Sequence, residues 1–287
     1  MKLLAVFINS NIYISLAAVF LTIETQIQLG MKPQAHPYLF IIFFATLFEY
    51  NLHRLVTVLT KPEALNDEKH GWVKKYRLPF YFLVAASLLG FLISILLAKK
   101  EVIIILTPIA IITIFYSLPF LKRSIYLFRL RDIPFLKIFL ISFVWSTATI
   151  LLPIIQSNQA FDKTHVFLML TERFLFVFAI TIPFDIRDLE IDRKSGLKTI
   201  PILVGKDLAL GIATIAMVIF MLVCLFHYSG PKESFVLYPM LLSALISLVF
   251  INYKRLHNWS YYYYGLLDGT MLLQGLLILA FYSIHFN

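Results

Sequence analysis

Nine long apolar runs, separated by short polar segments, are the feature that most restricts how this chain can fold. They cover approximately residues 4–28, 37–59, 79–98, 101–120, 134–155, 165–184, 208–228, 234–252 and 262–284. Many of the runs approach the ~20 residues that a helix needs to cross the hydrocarbon core of a bilayer. The chain is also 60% hydrophobic and 14% charged, which is too apolar for a typical soluble domain. The pattern predicts an all-α, polytopic membrane protein with nine transmembrane helices.

The remaining composition is consistent with one membrane domain. No linker or low-complexity stretch divides the chain, so residues 1–287 are predicted to form a single domain. The first apolar run resembles a signal peptide, but no small-x-small cleavage site follows it, and we interpret it as the first span. The net charge of +9 comes largely from cations in short loops between apolar runs. Membrane topology explains such cations better than a nucleic-acid partner does, and we expect no such partner.

Lys and Arg residues are distributed unevenly between alternate loops. The loops at 61–78, 121–133, 185–207 and 253–260 contain 16 of them, whereas the opposite loops contain 5. Cytoplasmic loops of membrane proteins carry the excess of Lys and Arg. The bias therefore predicts that the first set of loops and the N-terminus are cytoplasmic and that the C-terminus is external.

Three aspartates follow the sixth span in the stretch FDIRDLEIDRKSG. The gaps of three and four between Asp185, Asp188 and Asp192 predict that their carboxylates share one helical face. Clustered carboxylates are common ligands of Mg²⁺, which often bridges protein to substrate phosphates. The alternative is a solvated helix end with ion pairs to the neighbouring arginines and lysine. The position of the cluster, where an apolar span meets the cytoplasm, favours the metal site.

Polar residues also occur in the second and sixth spans. The stretch EYNLHRLVT, which we call the first patch (residues 49–57), lies at the cytoplasmic end of the second span. The first patch and the aspartates lie at equivalent ends of spans two and six, which predicts two halves that face a shared cavity. Inside the sixth span, Glu172 and Arg173 are expected to pair with neighbouring side chains.

The aspartate stretch resembles a known motif. Its order D-x-x-D-x-x-x-D-x-x-x-G-x-x-T-[IL]-P, from Asp185 to Pro201, resembles the second aspartate-rich motif of the UbiA superfamily of membrane prenyltransferases. The segment YSLPFLKR at 116–123 resembles the Tyr-x-x-Pro-x-x-Lys-Arg stretch of the same family. The resemblance covers most of the chain and implies a UbiA-like helical bundle around a central cavity.

The resemblance also implies an activity. Enzymes of this family bind a polyprenyl diphosphate through Mg²⁺ and transfer the prenyl group to an acceptor, commonly an aromatic ring, in an apolar cavity open to lipid. Asp185, Asp188 and Asp192 would be the catalytic residues and the Mg²⁺ ligands. The residues implied to contact the diphosphate are Lys122, Arg123, Lys198, Arg54 and Tyr116. The acceptor, aromatic or lipid, is not specified by the sequence.

The first patch departs from the family pattern, which reads N-D-x-x-D-x-x-x-D at the end of the second span. Aligning the family's Asn with Asn51 puts leucines at all three aspartate positions. Aligning the arginine that often follows the middle aspartate with Arg54 gives the preferred register. In that register the Asn and the three Asp are replaced by Glu49, Tyr50, His53 and Thr57. Glu49, His53 and Thr57 then share a face, although Thr57 is expected to bond to its own helix.

The degenerate first patch leaves three functions open. Two complete aspartate motifs together would hold two Mg²⁺ ions. With the first motif degenerate, we expect about one ion, with Arg54 supplying a fixed positive charge. The first alternative is a relative that binds a prenyl lipid or its diphosphate without transferring it. The second is a transporter, although no pair of broken spans in matching halves supports one.

The predicted topology can be tested by cysteine labelling in intact cells or sealed vesicles. Cysteines introduced at Lys69, Arg129 and Lys194 are expected to react only from the cytoplasmic side, and a cysteine at Lys163 only from outside. The reason is the excess of cations in the loops that contain the first three positions. External labelling at Lys194 would contradict the shared-cavity arrangement.

Overall fold

The structure is a computed structural model that describes most of the chain. It describes residues 2–60, 68–117, 121–123, 126–128, 130, 133, 135–157, 159–194, 196–230 and 233–286. At residues 2, 3, 60, 68–70, 117, 121–123 and 126–128, it describes the backbone alone.

The described residues are predominantly helical. The first six helices are α1 (Lys2–Asn9), α2 (Ile12–Gln28), α3 (Tyr38–Thr60), α4 (Glu68–Lys75), α5 (Arg77–Leu96) and α6 (Lys100–Ser117). A short antiparallel hairpin follows, β1 (Leu121–Arg123) and β2 (Tyr126–Phe128), in which Lys122 pairs with Leu127. The remaining helices are α7 (Leu136–Ser157), α8 (Lys163–Arg187), α9 (Leu189–Lys194), α10 (Ile200–Val204), α11 (Lys206–His227), α12 (Ser234–Asn252) and α13 (Asp268–Phe286). A 3₁₀ helix (Lys254–Asn258) and a π-helical turn (Tyr262–Leu267) precede α13.

The predicted spans coincide with helices, and the helical class is confirmed. Among the residues that the structure describes, seven helical segments are long and apolar enough to cross a membrane: α3 to Leu59, α5, α7, α8, α11, α12, and α13 together with the π-helical turn. The first predicted span is divided into α1 and α2, because Asn11 adopts a left-handed conformation with φ of 65°. Asparagine tolerates that conformation better than most residues. The count of nine transmembrane helices stays a prediction.

Helix α2 is central to the packing. It packs most extensively against α13 and also contacts α3 and α7, while α8 packs between α7 and α11. The contact between α2 and α13 is close at Gly275, where a Cβ atom would lie 2.6 Å from backbone atoms of Phe20. Small residues at such positions allow membrane helices to approach closely. The helices therefore form a continuous bundle in which α2 lies against both halves of the chain.

The outer surface of the bundle is apolar. Leu78, Leu96, Leu208 and Phe226 are all more than 60% exposed, and α5 buries only Phe80 and Ser87. In water such a surface would be unfavourable, whereas lipid chains solvate it. This distribution, with polar side chains inside and apolar side chains outside, fits the membrane-embedded protein predicted from the sequence.

A buried ion pair joins α2 to α8. The Arg173 guanidinium lies 2.8 Å from Glu24 Oε1, and the side chains are 2% and 0% exposed. Arg173 also donates to the carbonyl of Leu21 at 3.0 Å and to the Thr149 hydroxyl at 2.9 Å. The pairing expected for Arg173 is confirmed. Because the charge of each partner is compensated within the bundle, the pair links three helices at their centre.

A second set of buried hydrogen bonds continues from Glu172. Its carboxylate lies 2.6 Å from His227 Nδ1, and it accepts a hydrogen bond of 3.2 Å from the Tyr228 hydroxyl. His227 Nε2 lies 2.7 Å from His165 Nδ1, at the first turn of α8. The pairing expected for Glu172 is thereby confirmed too. The network lies at the end of α8 opposite to the aspartates.

The Arg173–Glu24 pair generates a stability prediction. Arg173→Met is expected to lower the free energy of unfolding by about 3–5 kcal/mol, because it leaves a buried carboxylate without its counter-charge. The double variant Arg173→Met/Glu24→Gln is expected to recover a large part of that loss. Thermal unfolding of the purified protein in detergent would measure both.

The matched control is Arg193→Met, since the Arg193–Glu190 pair is exposed and exposed ion pairs contribute little. A loss for Arg173→Met no larger than for this control would show that the buried pair does not stabilise the bundle.

Candidate functional site

The aspartate stretch begins at the end of α8 and continues through a helix break. Helix α8 ends at Arg187, Asp188 follows it, and α9 begins at Leu189. The break is small, because the Asp188 N–H donates to Phe184 O at 3.0 Å and the Asp192 N–H donates to Asp188 O at 2.9 Å. The predicted spacing along one helix is thus nearly preserved. Asp185 and Asp192 are 1% and 6% exposed, so two of the three carboxylates are buried.

The three carboxylates surround the ammonium group of Lys137. Its Nζ lies 2.7 Å from Asp185, 3.8 Å from Asp192 and 4.0 Å from Asp188. Lys137 is the second residue of α7, and its side chain is 18% exposed. Lys137 was not among the site residues predicted from the sequence. A signal was present, since Lys137 is one of only three Lys or Arg residues inside the predicted spans, and intramembrane charges usually have a function.

Asp188 has a second cationic partner in Arg187. The guanidinium donates from Nε at 2.7 Å and from Nη2 at 2.9 Å to the two carboxylate oxygens. Its Nη1 donates to the Tyr264 hydroxyl at 2.7 Å, and the group lies 4.8 to 5.2 Å from the ring centres of Phe184, Tyr263 and Tyr264. Bidentate and cation–π contacts both favour arginine over lysine at such a position. Asp188 is therefore held in a fixed orientation.

The carboxylate oxygens of the cluster are suitable ligands for Mg²⁺, but in this structure they are arranged around an ammonium group. Mg²⁺ prefers carboxylate oxygens at about 2.0–2.1 Å. Within the described part of the chain, no group of three or more His, Cys, Asp or Glu side chains is arranged to hold a metal ion. The Lys137 ammonium lies between the three carboxylates in this structure. Closure on an ion would require the carboxylates to approach one another or the ammonium to withdraw.

The predicted diphosphate ligands differ in how the structure relates them to this cluster. Lys198 is exposed in the loop after α9, and with Lys137, Asp185 and Thr199 it lines a cavity of about 10 Å³, which has room for one water molecule. Tyr116 is half-buried near the end of α6 and interacts electrostatically with Lys137. The side chains of Lys122 and Arg123 lie outside the described residues, although their backbone forms β1.

Asn51 and Arg54 of the first patch contact the break between α1 and α2. Asn51 is fully buried, accepts a hydrogen bond from Asn11 Nδ2 at 2.9 Å and donates to Ser10 O at 3.0 Å. Arg54 donates to the carbonyl of Asn9 and, at 3.4 Å, to Asn11 Oδ1. Both side chains therefore hold α3 against the start of the chain. The role of Arg54 as a diphosphate ligand stays a prediction.

The remaining residues of the first patch are half-buried. Glu49, His53 and Thr57 have this exposure, and the Thr57 hydroxyl donates to the His53 carbonyl at 2.9 Å. The expected bond of Thr57 to its own helix is thus confirmed. Tyr264 connects the first patch to the aspartates, because it accepts a hydrogen bond from Arg187 and interacts electrostatically with Arg54. The ends of α3 and α8 therefore face the same region of the bundle.

Known structures share this architecture. A UbiA homolog from Archaeoglobus fulgidus bound to GPP and Mg²⁺ is 15% identical, with a TM-score of 0.64 over 96% of this chain and 99% of that chain. A UbiA homolog from Archaeoglobus fulgidus bound to DMAPP and Mg²⁺ gives a TM-score of 0.62 at 15% identity, over 94% of this chain and 96% of that chain. The apo structure of a UbiA homolog from Aeropyrum pernix K1 gives 0.62 at 14% identity, over 95% of this chain and 98% of that chain. These similarities establish the fold.

Sequence comparison establishes the family. No curated protein matches the chain significantly. The model of the UbiA prenyltransferase family matches residues 76–282, which is most of the chain and includes the three aspartates and Lys137. The protein is therefore a member of the UbiA prenyltransferase family.

Proposed function

We propose that this protein is an intramembrane prenyltransferase that takes a prenyl group from a prenyl diphosphate and joins it to an aromatic or lipid acceptor. The observation that carries the proposal is the convergence of three carboxylates and two cations where the apolar part of α8 ends. The similar homolog from Archaeoglobus fulgidus is bound to GPP and Mg²⁺, which supports the same ligand class here.

The diphosphate would bind where the aspartates meet the cationic loops. Asp185, Asp188 and Asp192 would hold Mg²⁺, and Mg²⁺ would neutralise diphosphate oxygens when bound. Lys198 is exposed beside the cluster, and Lys122 and Arg123 follow α6 in the hairpin. These cations would stabilise the charge that develops on the leaving diphosphate as the allylic C–O bond breaks and its electron pair moves to oxygen.

The rest of the reaction would occur on the apolar side of the cluster. The prenyl carbon would form a bond to a nucleophilic atom of the acceptor, and an aromatic acceptor would then release a proton. A bundle whose outer surface is apolar gives a prenyl chain access from the lipid phase. Exclusion of water from this region would protect the reactive allylic carbon from hydrolysis.

A second candidate is a protein that binds a prenyl diphosphate or prenyl lipid without turnover. It is favoured by the first patch, which contains no aspartate and uses Asn51 and Arg54 to hold α1 and α2. Binding of GPP with Mg²⁺ is common to both candidates. Formation of free diphosphate from GPP in the presence of candidate acceptors distinguishes the enzyme from the binding protein.

Neutralising one aspartate tests the metal site. Asp188→Asn is expected to weaken GPP binding in Mg²⁺ by about tenfold or more, because Asn keeps the shape but loses the charge that the ion needs. In chelator, the variant and the wild type should bind GPP almost equally. Calorimetry on purified protein in detergent would measure both affinities.

Glu190→Gln is the matched control, since it also removes one carboxylate near the cluster but lies exposed on α9. It should bind GPP as the wild type does. Equal losses for Asp188→Asn with Mg²⁺ and in chelator would contradict the metal role and indicate a direct or structural role for Asp188.

A further inference from the structure

We propose that the Lys137 ammonium is a permanent cation of the diphosphate site. It occupies the carboxylate cluster and replaces one of the two divalent ions that two complete aspartate motifs would hold. The ammonium would hold the three aspartates together when no metal is bound and would compete with a divalent ion for them. The part of this inference that concerns prenyl diphosphate rests on the proposed function. The part that concerns metal alone does not.

The geometry makes Lys137 the counter-ion of the whole cluster rather than of one aspartate. Its Nζ lies within 4.0 Å of all three carboxylates, which come from α8, the helix break and α9. Asp185 is the nearest of the three carboxylates to the ammonium, and its Oδ1 atom is buried. The 2.7 Å ion pair with Lys137 therefore compensates its charge.

The placement of this lysine is unfavourable for the helix that carries it. The start of a helix bears partial positive charge, so a cation in the first turn of α7 is destabilising there. Removing an ammonium from water adds a further penalty. The three carboxylates offset these costs. A lysine at such a position is better explained by the cluster it neutralises than by the stability of α7.

The backbone before Lys137 is also constrained. Phe135 has a φ of 64°, which is rare for a bulky side chain, and its N–H donates to Lys198 O at 3.0 Å. This hydrogen bond ties the start of α7 to the loop that follows the aspartates. Uncommon backbone conformations of this kind cluster at functional sites. The contact therefore keeps the first turn of α7, which carries Lys137, beside the loop that follows the aspartates.

The charges around the cluster bear on the number of divalent ions that the site would take. Around the cluster, three carboxylates face the two cations Lys137 and Arg187, which leaves about one negative charge. The first patch adds no aspartate, and Arg54 is bound to Asn9 O and Asn11 Oδ1. A second divalent ion would thus find no aspartate on α3, where Glu49 is the one acidic residue, while the Lys137 ammonium already supplies a positive charge among the three aspartates. About one divalent ion is then sufficient for a diphosphate.

Competition between the ammonium and a metal can be measured without any substrate. Purified full-length protein in detergent would be titrated with Mn²⁺, followed by electron paramagnetic resonance and by thermal unfolding. In Lys137→Met, three carboxylates are left with one cation, so Mn²⁺ should bind about tenfold or more tightly than in the wild type. The melting temperature should fall in chelator and recover with Mn²⁺.

Two further variants distinguish the effect of the Lys137 charge on Mn²⁺ binding from the effects of any substitution or any loss of a cation. Lys137→Arg keeps the charge and should bind Mn²⁺ nearly as weakly as the wild type. Lys206→Met removes one exposed cation at the start of α11 and should behave as the wild type. If Lys137→Met does not fold even in Mn²⁺, Lys137→Met/Asp185→Asn removes the uncompensated carboxylate and should restore folding. Failure of that double variant, or unchanged Mn²⁺ affinity in Lys137→Met, would overturn the proposal.

Calorimetry with GPP and Mg²⁺ tests the part of the inference that concerns prenyl diphosphate. The wild type is expected to take up about one Mg²⁺ per GPP, and Lys137→Met about two. Equal ion counts in both proteins would overturn the replacement of an ion by Lys137 while leaving the proposed function intact. Absence of GPP binding to the wild type at any Mg²⁺ concentration would instead contradict the proposed function, and the Mn²⁺ titration would still decide whether Lys137 competes with metal.

Discussion

Three carboxylates placed side by side in a bundle with an apolar exterior repel one another, and the Lys137 ammonium makes their proximity tolerable. Its contacts with Asp185, Asp188 and Asp192 connect the start of α7 to the end of α8 and to α9. Arg187 completes the neutralisation by holding Asp188 from the other side. The shape of the candidate site, including its small cavity and the position of Lys198, depends on this balance of charge.

In the middle of the bundle, buried charges are compensated by a different arrangement of side chains. Arg173 and Glu24 form a pair that is almost fully buried, and Glu172 is bound by His227 and Tyr228. From Arg173 to Asp185 the distance along α8 is about 18 Å, because each helical residue advances about 1.5 Å. The inner pair is closed to solvent, whereas the aspartate cluster is partly exposed through Asp188 and Lys137. Under the proposed competition, this partial exposure would give a divalent ion access to the outer cluster.

Two residues of the first patch have a structural role. Asn51 and Arg54 satisfy the polar groups released where α1 and α2 separate at Asn11. Such groups must be compensated inside the protein, because lipid offers no hydrogen bonds. Asn51 and Arg54 therefore help to hold α3 against α1 and α2 in this protein.

The sequence by itself determined the helical class, the approximate limits of the spans, the aspartate motif and the family. Each of these depends on local composition or spacing, such as apolar runs near twenty residues or the gaps between Asp185, Asp188 and Asp192. It also indicated that Glu172 and Arg173 need partners, since charges inside a span are rarely left uncompensated. It did not identify those partners. Glu24 is 149 residues from Arg173, and Lys137 is 48 residues from Asp185, so no periodicity relates them. Only the packing of α2 and α7 against α8 decided which charges meet, because an ion pair depends on distance in space rather than on separation along the chain.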